Sequence, residues 1–560
     1  MFRSALIAGL LLIGLRPPML GDDAKASPLT SELSAADQLF RSGKFVEAEV
    51  GYRAILEKDA KLVPAQVGLV RAMLRQQKID ESFEIVNKAI VLQPNSAGLL
   101  AVKGEVQFRR GEMSEAEDSY LKSKKIDPKE PHAYLGLAHL YASYSLYRKA
   151  YDQLQAAHNI APDDVEVQKA WLGTLPRKER ITALEAYLGG LHPDDDEETQ
   201  SMQEYLDFLK ATANQPVHAC KLLRKVEKTD VKLGMVMADA NHMSGIGLQV
   251  QLNHEKTYLQ FDTGAGGIMV SRKVAERTGL TPVSAVHYSG IGDKGLQHGF
   301  RAIADHIRIG ALDFQDCVVR VSDKRSLLDR DGFIGADVLS AYVVDIDLPG
   351  MMLKLSPLPK RPEDEVVSMS LNSTGEEQVN VEQKEESTNQ QDSKDQKSSA
   401  PETKIAQPLP KDRYIAPEMA TWTKVFRFGH LVLVPTFVND SPPMLFGLDT
   451  GAFDNILSLR GARGVGKVNS DYWLRVRGLN GESSDVYSAK AALHFGHLQQ
   501  PNMNIVTLDL SSQSRRIGTE LSGFLGFGML RVLEVKIDYR DGLVDFEYDP
   551  NRIPSFSTIH

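Results

Sequence analysis

Two stretches of this chain follow one template. Reading from Asp262 and from Asp449, each the first residue of an Asp-Thr-Gly triplet, the same landmarks recur in the same order. Gly290 follows Asp262 at an offset of 28, and Gly478 follows Asp449 at an offset of 29. Ile309-Gly310 closes an apolar stretch in the first copy, its glycine at offset 48, and Phe495-Gly496 closes one in the second at offset 47. Phe333-Ile334-Gly335 and Phe524-Leu525-Gly526 follow, their glycines at offsets of 73 and 77. Ile346-Asp347 and Ile537-Asp538 then begin at the same distance beyond those glycines, each leading into a glycine-bearing turn. One matching offset would mean little; four in order point to a duplication. From about residue 230 onward, short alternating apolar runs separated by Gly, Asn and Pro are strand and turn chemistry. The expectation is two related all-β halves, at 230–360 and 413–551.

Between the halves, residues 361–412 are rich in Glu, Gln, Ser and Lys, too polar to offset the entropy of ordering, and are read as a disordered linker. Before the first half runs a different period. Ala48, Ser82, Ala116 and Ala150 recur at a constant interval of 34, as do Pro94, Pro128 and Pro162. Small residues at one helical position let paired helices approach closely, and the prolines stop each second helix. The pattern resembles the tetratricopeptide repeat over residues 31–165 in four copies, although Ala60 stands where the first proline is expected. Residues 166–229, with the acidic run 194–198, are expected to continue as a helical cap and connector. The resemblance implies a solenoid whose groove binds a protein partner, the alternative being a spacer that merely positions the rest of the chain.

In each half a hydrophobic strand, Tyr258–Phe261 or Leu445–Leu448, runs into the triplet and delivers the aspartate to a mostly apolar surface. A carboxylate in such a place is costly unless neutralised, paired or hydrogen-bonded. Two that face each other can share one proton, which suits general acid/base hydrolysis with a water between them. Hydrophobic-Asp-Thr-Gly-Ala, a glycine hairpin at the matching offset and a hydrophobic-hydrophobic-Gly segment together resemble the retropepsin-like aspartic protease lobe, over 235–358 and 420–548. That resemblance implies catalytic Asp262 and Asp449, a supporting loop of Thr263, Gly264, Thr450 and Gly451, and flaps at Tyr288, Gly290, Gly292, Gly478 and Gly481. The threonine hydroxyls are expected to bond across to the partner loop. A flap in each half is similar to the retroviral type more than to pepsin. The halves differ after their last glycine, with Ala336-Asp337 in the first and Phe527-Gly528 in the second.

At 560 residues the chain has room for about three to five domains, with 42% hydrophobic and 25% charged residues giving ordinary cores. A net charge of -9 with no basic stripe offers no footprint for nucleic acid. Arg3 and the apolar run Ala5–Leu15 read as a signal peptide within 1–26, the alternative being an uncleaved membrane anchor; either way the protein is expected to be exported, to a periplasm or outside the cell. The only two cysteines, Cys220 and Cys317, exclude a CxxC metal framework and could pair as a disulfide. No GxSxG, Walker or HExxH motif is present, so neither metal nor cofactor is expected. The 14 histidines are scattered, and His242, His254, His287 and His298 read as surface or strand residues. Two functions remain open: an exported aspartic endopeptidase with its lobes paired within one chain or between two, acting on a peptide or protein substrate; and a non-enzymatic binding scaffold on an inactive protease-like fold.

Overall fold

The structure, a computed structural model, describes residues 28–552 except 191–196, 216–219, 225, 238–242, 292–294, 326, 329, 471–474, 480 and 484; within 363–408 it describes only the backbone of a short pairing of 369–371 with 377–379. The expected signal peptide and Gly292 lie outside the described residues. So does most of the stretch expected as a linker, but its ends are held. Arg361 pairs with Asp541, and Asp412 forms a bridge with Leu146 while its carboxylate accepts from the Lys149 amide at 3.1 Å.

The helices described in the N-terminal part are α1 (Pro28–Arg41), α2 (Phe45–Lys58), α3 (Val63–Arg75), α4 (Ile79–Leu92), α5 (Ala97–Arg109), α6 (Met113–Ile126), α7 (Pro131–Ser143), α8 (Tyr147–Ile160), α9 (Val165–Leu172), α10 (Arg177–Gly190) and α11 (Glu197–Ala211). The second helices of successive pairs begin at Phe45, Ile79, Met113 and Tyr147, the same interval of 34 that spaces the small residues. Ala48, Ser82, Ala116 and Ala150 are all buried at the same turn of those helices. The close approach they permit is filled by rings from their own helices: a Cβ on Gly104 would lie 2.6 Å from the Tyr120 ring. The array is a tetratricopeptide-type solenoid.

The array is docked onto the second β lobe. Met113, Ala116, Tyr120, Leu137 and Leu140 share one apolar cluster with Leu431, Leu433, Leu445, Leu521 and Phe524. Around it, Phe108 packs on Phe428 at 6.0 Å, Tyr144 on Phe426 at 5.4 Å, and the Thr519 hydroxyl donates to the Phe108 carbonyl at 2.6 Å. Removal of this much apolar surface from water is a strong, non-directional glue, reinforced at the rim by the Arg460–Asp80 pair at 2.5 Å.

The two lobes repeat each other strand for strand where it matters. Strand Glu255–Asp262 lies parallel to Gly332–Gly335 with Asp262 opposite Gly335; strand Met444–Asp449 lies parallel to Gly523–Gly526 with Asp449 opposite Gly526. Phe261 and Leu448, each immediately before its aspartate, are both fully buried. Between the lobes runs a six-stranded sheet, in the order 423–424, 543–548, 533–538, 342–347, 352–357, 229–232. Its central pair, Tyr342–Asp347 against Leu533–Asp538, is antiparallel and joins the lobes; Asp345 stands opposite Lys536, the position equivalent to it by the offset of the duplication. The local two-fold axis therefore passes through that residue pair. Cys220 and Cys317 are disulfide-bonded, fixing Lys221–Leu222 along the edge of strand Leu312–Ser322. Among the described residues no helix is long and apolar enough to cross a membrane.

Candidate active site

The two aspartates meet at the seam between the lobes because each strand ends there in a tight turn. Asp262 Oδ1 accepts from the amides of Gly264 at 2.8 Å and Ala265 at 3.1 Å, and Asp449 Oδ1 from those of Gly451 at 2.8 Å and Ala452 at 2.9 Å. Each loop so orients one oxygen of its own carboxylate and leaves the other toward its partner. Glycine is needed at the third position for a steric reason. A Cβ on Gly264 would lie 2.6 Å from Asp449 Cγ, and one on Gly451 would overlap the Asp262 carboxyl.

Below the carboxyls the threonines grip each other. The Thr263 amide donates to Thr450 Oγ1 at 3.1 Å and the Thr450 amide to Thr263 Oγ1 at 3.0 Å. The hydroxyls in turn donate onward, Thr263 Oγ1 to the Leu448 carbonyl at 2.8 Å and Thr450 Oγ1 to that of Phe261 at 3.1 Å. Both threonines are buried, so these four bonds satisfy an amide and a hydroxyl on each side that water cannot reach.

The carboxyls keep only part of their surface open to the cleft, and they interact directly. Asp262 is held well above the ordinary carboxylate range by burial, then by the charge of Asp449 and the bond between them. Asp449 is raised by burial, with the Ala452 amide and the bond from Asp262 opposing the rise. Two like charges so placed cannot both ionise, so the pair titrates as a unit and retains one shared proton at a pH where an isolated aspartate would lose it.

Each lobe carries a hairpin at the place expected for a flap, and the two hairpins meet. One joins strand Ser284–Tyr288 to Gln297–Ile309, and the other is Val476–Gly478 with Gly481–Ser483. Their tips touch: a Cβ on Gly290 would lie 2.7 Å from Leu479 Cβ, and one on Gly478 would lie 2.8 Å from Ile291 Cβ. Lys324 Nζ donates to the Leu479 carbonyl at 3.3 Å and adds a bond between the first lobe and the second hairpin. Tyr288 is not at a tip. It is buried, with its hydroxyl on Ser322 Oγ, and anchors the base of the first hairpin.

Other residues at the site carry no signal in the sequence or only a faint one. Asp337 accepts from the Gly267 amide at 2.9 Å and braces the first loop. In the second lobe Gly528 replaces that aspartate, and a Cβ there would lie 2.6 Å from Asp454 Oδ1, so an acid reaches the same place from the opposite element. Asn455 completes the exchange by accepting from the Gly526 amide at 2.7 Å. The Ala336-Asp337 to Phe527-Gly528 difference is thus compensated locally. His430 was silent in the sequence; it packs against the Asp262 loop, where a Cβ on Gly266 would lie 2.6 Å from its Nδ1. Burial, then the Arg320 charge, lowers its pKa to about 4, so it is a neutral neighbour of the pair. Among the described residues no cluster of His, Cys, Asp and Glu could hold a metal ion.

Residues 248–341, which contain Asp262 and Gly335, match the family described as "gag-polyprotein putative aspartyl protease". The β region is a retropepsin-like aspartic-protease fold. The second lobe repeats it through Asp449 and Gly526. Among curated proteins the chain is similar to a probable UDP-N-acetylglucosamine–peptide N-acetylglucosaminyltransferase, SPINDLY, of Arabidopsis thaliana. That match is 33% identical over 109 residues, 20% of this chain and 12% of the plant protein. It is 32% identical over 96 residues to the protein of the same name from Solanum lycopersicum, 17% of this chain and 10% of that one. The chain thus spans about a tenth of the length of these relatives. Two solved structures are similar: a thermophilic TPR protein in Thermus thermophilus (16% identity, 32% of this chain, 98% of that chain, TM-score 0.26) and the MamA protein (21% identity, 29% and 91%, TM-score 0.20).

Proposed function

We propose that the protein is an exported aspartic endopeptidase whose two lobes pair within one chain. The observation that carries this reading is the facing pair of carboxyls, each oriented by two amides of its own loop and locked by the reciprocal threonine bonds. In that geometry a water bound between the carboxyls gives a proton to ionised Asp449 as its oxygen attacks the scissile carbonyl carbon. Protonated Asp262 meanwhile donates to the carbonyl oxygen and offsets the charge that develops there. The tetrahedral diol then collapses. Asp449 returns its proton to the amide nitrogen as the C–N bond breaks, and Asp262 recovers its own from the diol. No covalent enzyme intermediate forms.

A chain bound across this pair lies under the two hairpins, whose tips are in contact and must part to admit it. Export is supported by the N-terminal apolar run after Arg3 and by the disulfide, which persists in oxidising compartments. We assign the solenoid to holding a protein substrate or partner near the cleft, by analogy with other helical arrays.

The test is cleavage of an unstructured protein by the purified chain and by Asp262→Asn and Asp449→Asn. Each substitution keeps the shape and removes one acid, and the expected result is loss of turnover to the limit of detection in both. Full activity in either variant would overturn the shared-pair mechanism.

A further inference from the structure

Helix α11 does more than cap the solenoid, because it touches three parts of the molecule at once. At its first turn Glu198 pairs with Arg75 of α3 at 3.0 Å and with Lys169 of α9, tying α11 to two helices of the array. Beside it, Glu197 accepts from Arg516 of the second lobe at 2.9 Å. Two turns on, α11 lies along strand Ser284–Tyr288, the base of the first flap.

The bonds there are made to the strand itself. Glu204 is buried, and its Oε2 accepts from the backbone amide of His287 at 2.9 Å while its other oxygen meets the imidazole of the same residue. The strand is the last in its sheet, so that amide points away from the sheet and would otherwise face solvent. Arg301, on the neighbouring strand, completes the clasp. Its guanidinium donates to the Glu204 carbonyl at 3.3 Å and to the Ala285 carbonyl at 3.2 Å, and lies 5.6 Å over the Phe208 ring. A buried carboxylate so paired is costly to break, because separation leaves charge and amide without partners.

We propose that α11 is a latch through which the repeat array restrains the first flap, so that the hold of Arg75 and Lys169 on the helix sets how readily the cleft opens. The inference rests on the peptidase reading for its purpose, since a flap matters because a peptide must pass it. It does not rest on that reading for its physics. A change that loosens α11 at its first turn, Glu198, or at its middle, Glu204, frees the flap while leaving the aspartates untouched.

Hydrogen exchange on the full chain separates the two questions. Glu204→Ala is expected to speed exchange of the amides in 284–288 about tenfold or more. Glu198→Gln, at the far end of the helix and partly exposed, is expected to speed them about two- to threefold. Amides of α5 and of strand Tyr342–Asp347 are the folding control in the same data and should not change. If Glu204→Ala fails that control, Glu198→Gln carries the test alone. Unchanged exchange in 284–288 for Glu198→Gln overturns the latch whatever the activity. Faster exchange together with a higher kcat/KM supports latch and peptidase alike. Faster exchange in a chain that cleaves nothing, wild type included, supports the latch and sinks the peptidase.

Discussion

Thr263 and Thr450 show how much one side chain can hold. Each hydroxyl accepts from the opposite loop's amide and donates to a carbonyl of the opposite strand, so deleting one hydroxyl strands a buried N–H and a buried C=O in the other lobe. Thr263→Val keeps the volume and removes the hydroxyl. The expected cost is about 2–4 kcal/mol, from two lost bonds and the unsatisfied Thr450 amide. Thermal denaturation checks it, and Thr263→Ser should recover most of the loss. Gly451→Ala acts on chemistry more than on stability. The new methyl would occupy the space of the Asp262 carboxyl, so the pair must move apart. A displacement of about 1 Å in a reacting group can cost on the order of a hundredfold in rate. The pH profile follows from the same pair. Because Asp262 and Asp449 are both raised by burial, with the Asp449 charge adding to the rise at Asp262, the shared proton is retained above the ordinary carboxylate range. Turnover should fall as pH rises through the pair's upper apparent pKa, and a kcat/KM profile measures where.

At the scale of elements, the disulfide is the clearest case. Its partners have a sequence separation of 97, and the strand Lys221–Leu222 that it pins follows closely on the end of the helical region. Closing a loop of that length in the unfolded chain is worth about 4–5 kcal/mol on the chain-entropy model. Cys220→Ser should lower the melting temperature of the first lobe, and the same drop should appear when the wild type is melted in reductant. What the sequence revealed divides along physical lines. The helical period and the duplicated offsets were legible because each reflects a local requirement: a small residue where helices cross, a glycine where a chain turns under a carboxylate. The Asp-Thr-Gly loops were legible for that reason, and the threonine hydroxyls do bond across to the partner loop as expected. Contacts between elements far apart in sequence left no such mark. Nothing around Glu204 signals that it will meet His287, and nothing around Met113 signals Leu445. Asn455 and Asp454, which replace Asp337 in bracing the second loop, were hidden because compensation moves a function to another element and breaks the repeat that would have exposed it.

The whole molecule depends on the seam sheet, and that seam carries its own proton balance. Asp345 sits at the two-fold axis opposite Lys536, with one buried oxygen lacking a hydrogen-bond partner. Burial, then the charge of Glu534, pushes its pKa up to about 7, against the pull of Lys354. Asp538, at the end of the same central pair of strands, is raised to about 6 by burial and then by Asp541. The folded chain therefore holds both protons more tightly than the unfolded chain, whose carboxylates titrate at about 4. Stability from these groups is complete below that value and is lost as pH rises through about 6 and then about 7. The share of the urea midpoint that these two groups supply should be lost between pH 5 and pH 8, whereas His430, buried with its pKa lowered to about 4, acts in the opposite direction and is common to wild type and variant. Asp345→Asn, neutral throughout, should lose less over the same range, and equal slopes would show that Asp345 does not carry the effect. A seam that tightens in acid and a carboxyl pair that needs its shared proton respond to pH in the same direction. Acid therefore favours the assembled cleft and its protonation state together, and the two can be told apart because Asp345→Asn alters the first and leaves the second in place.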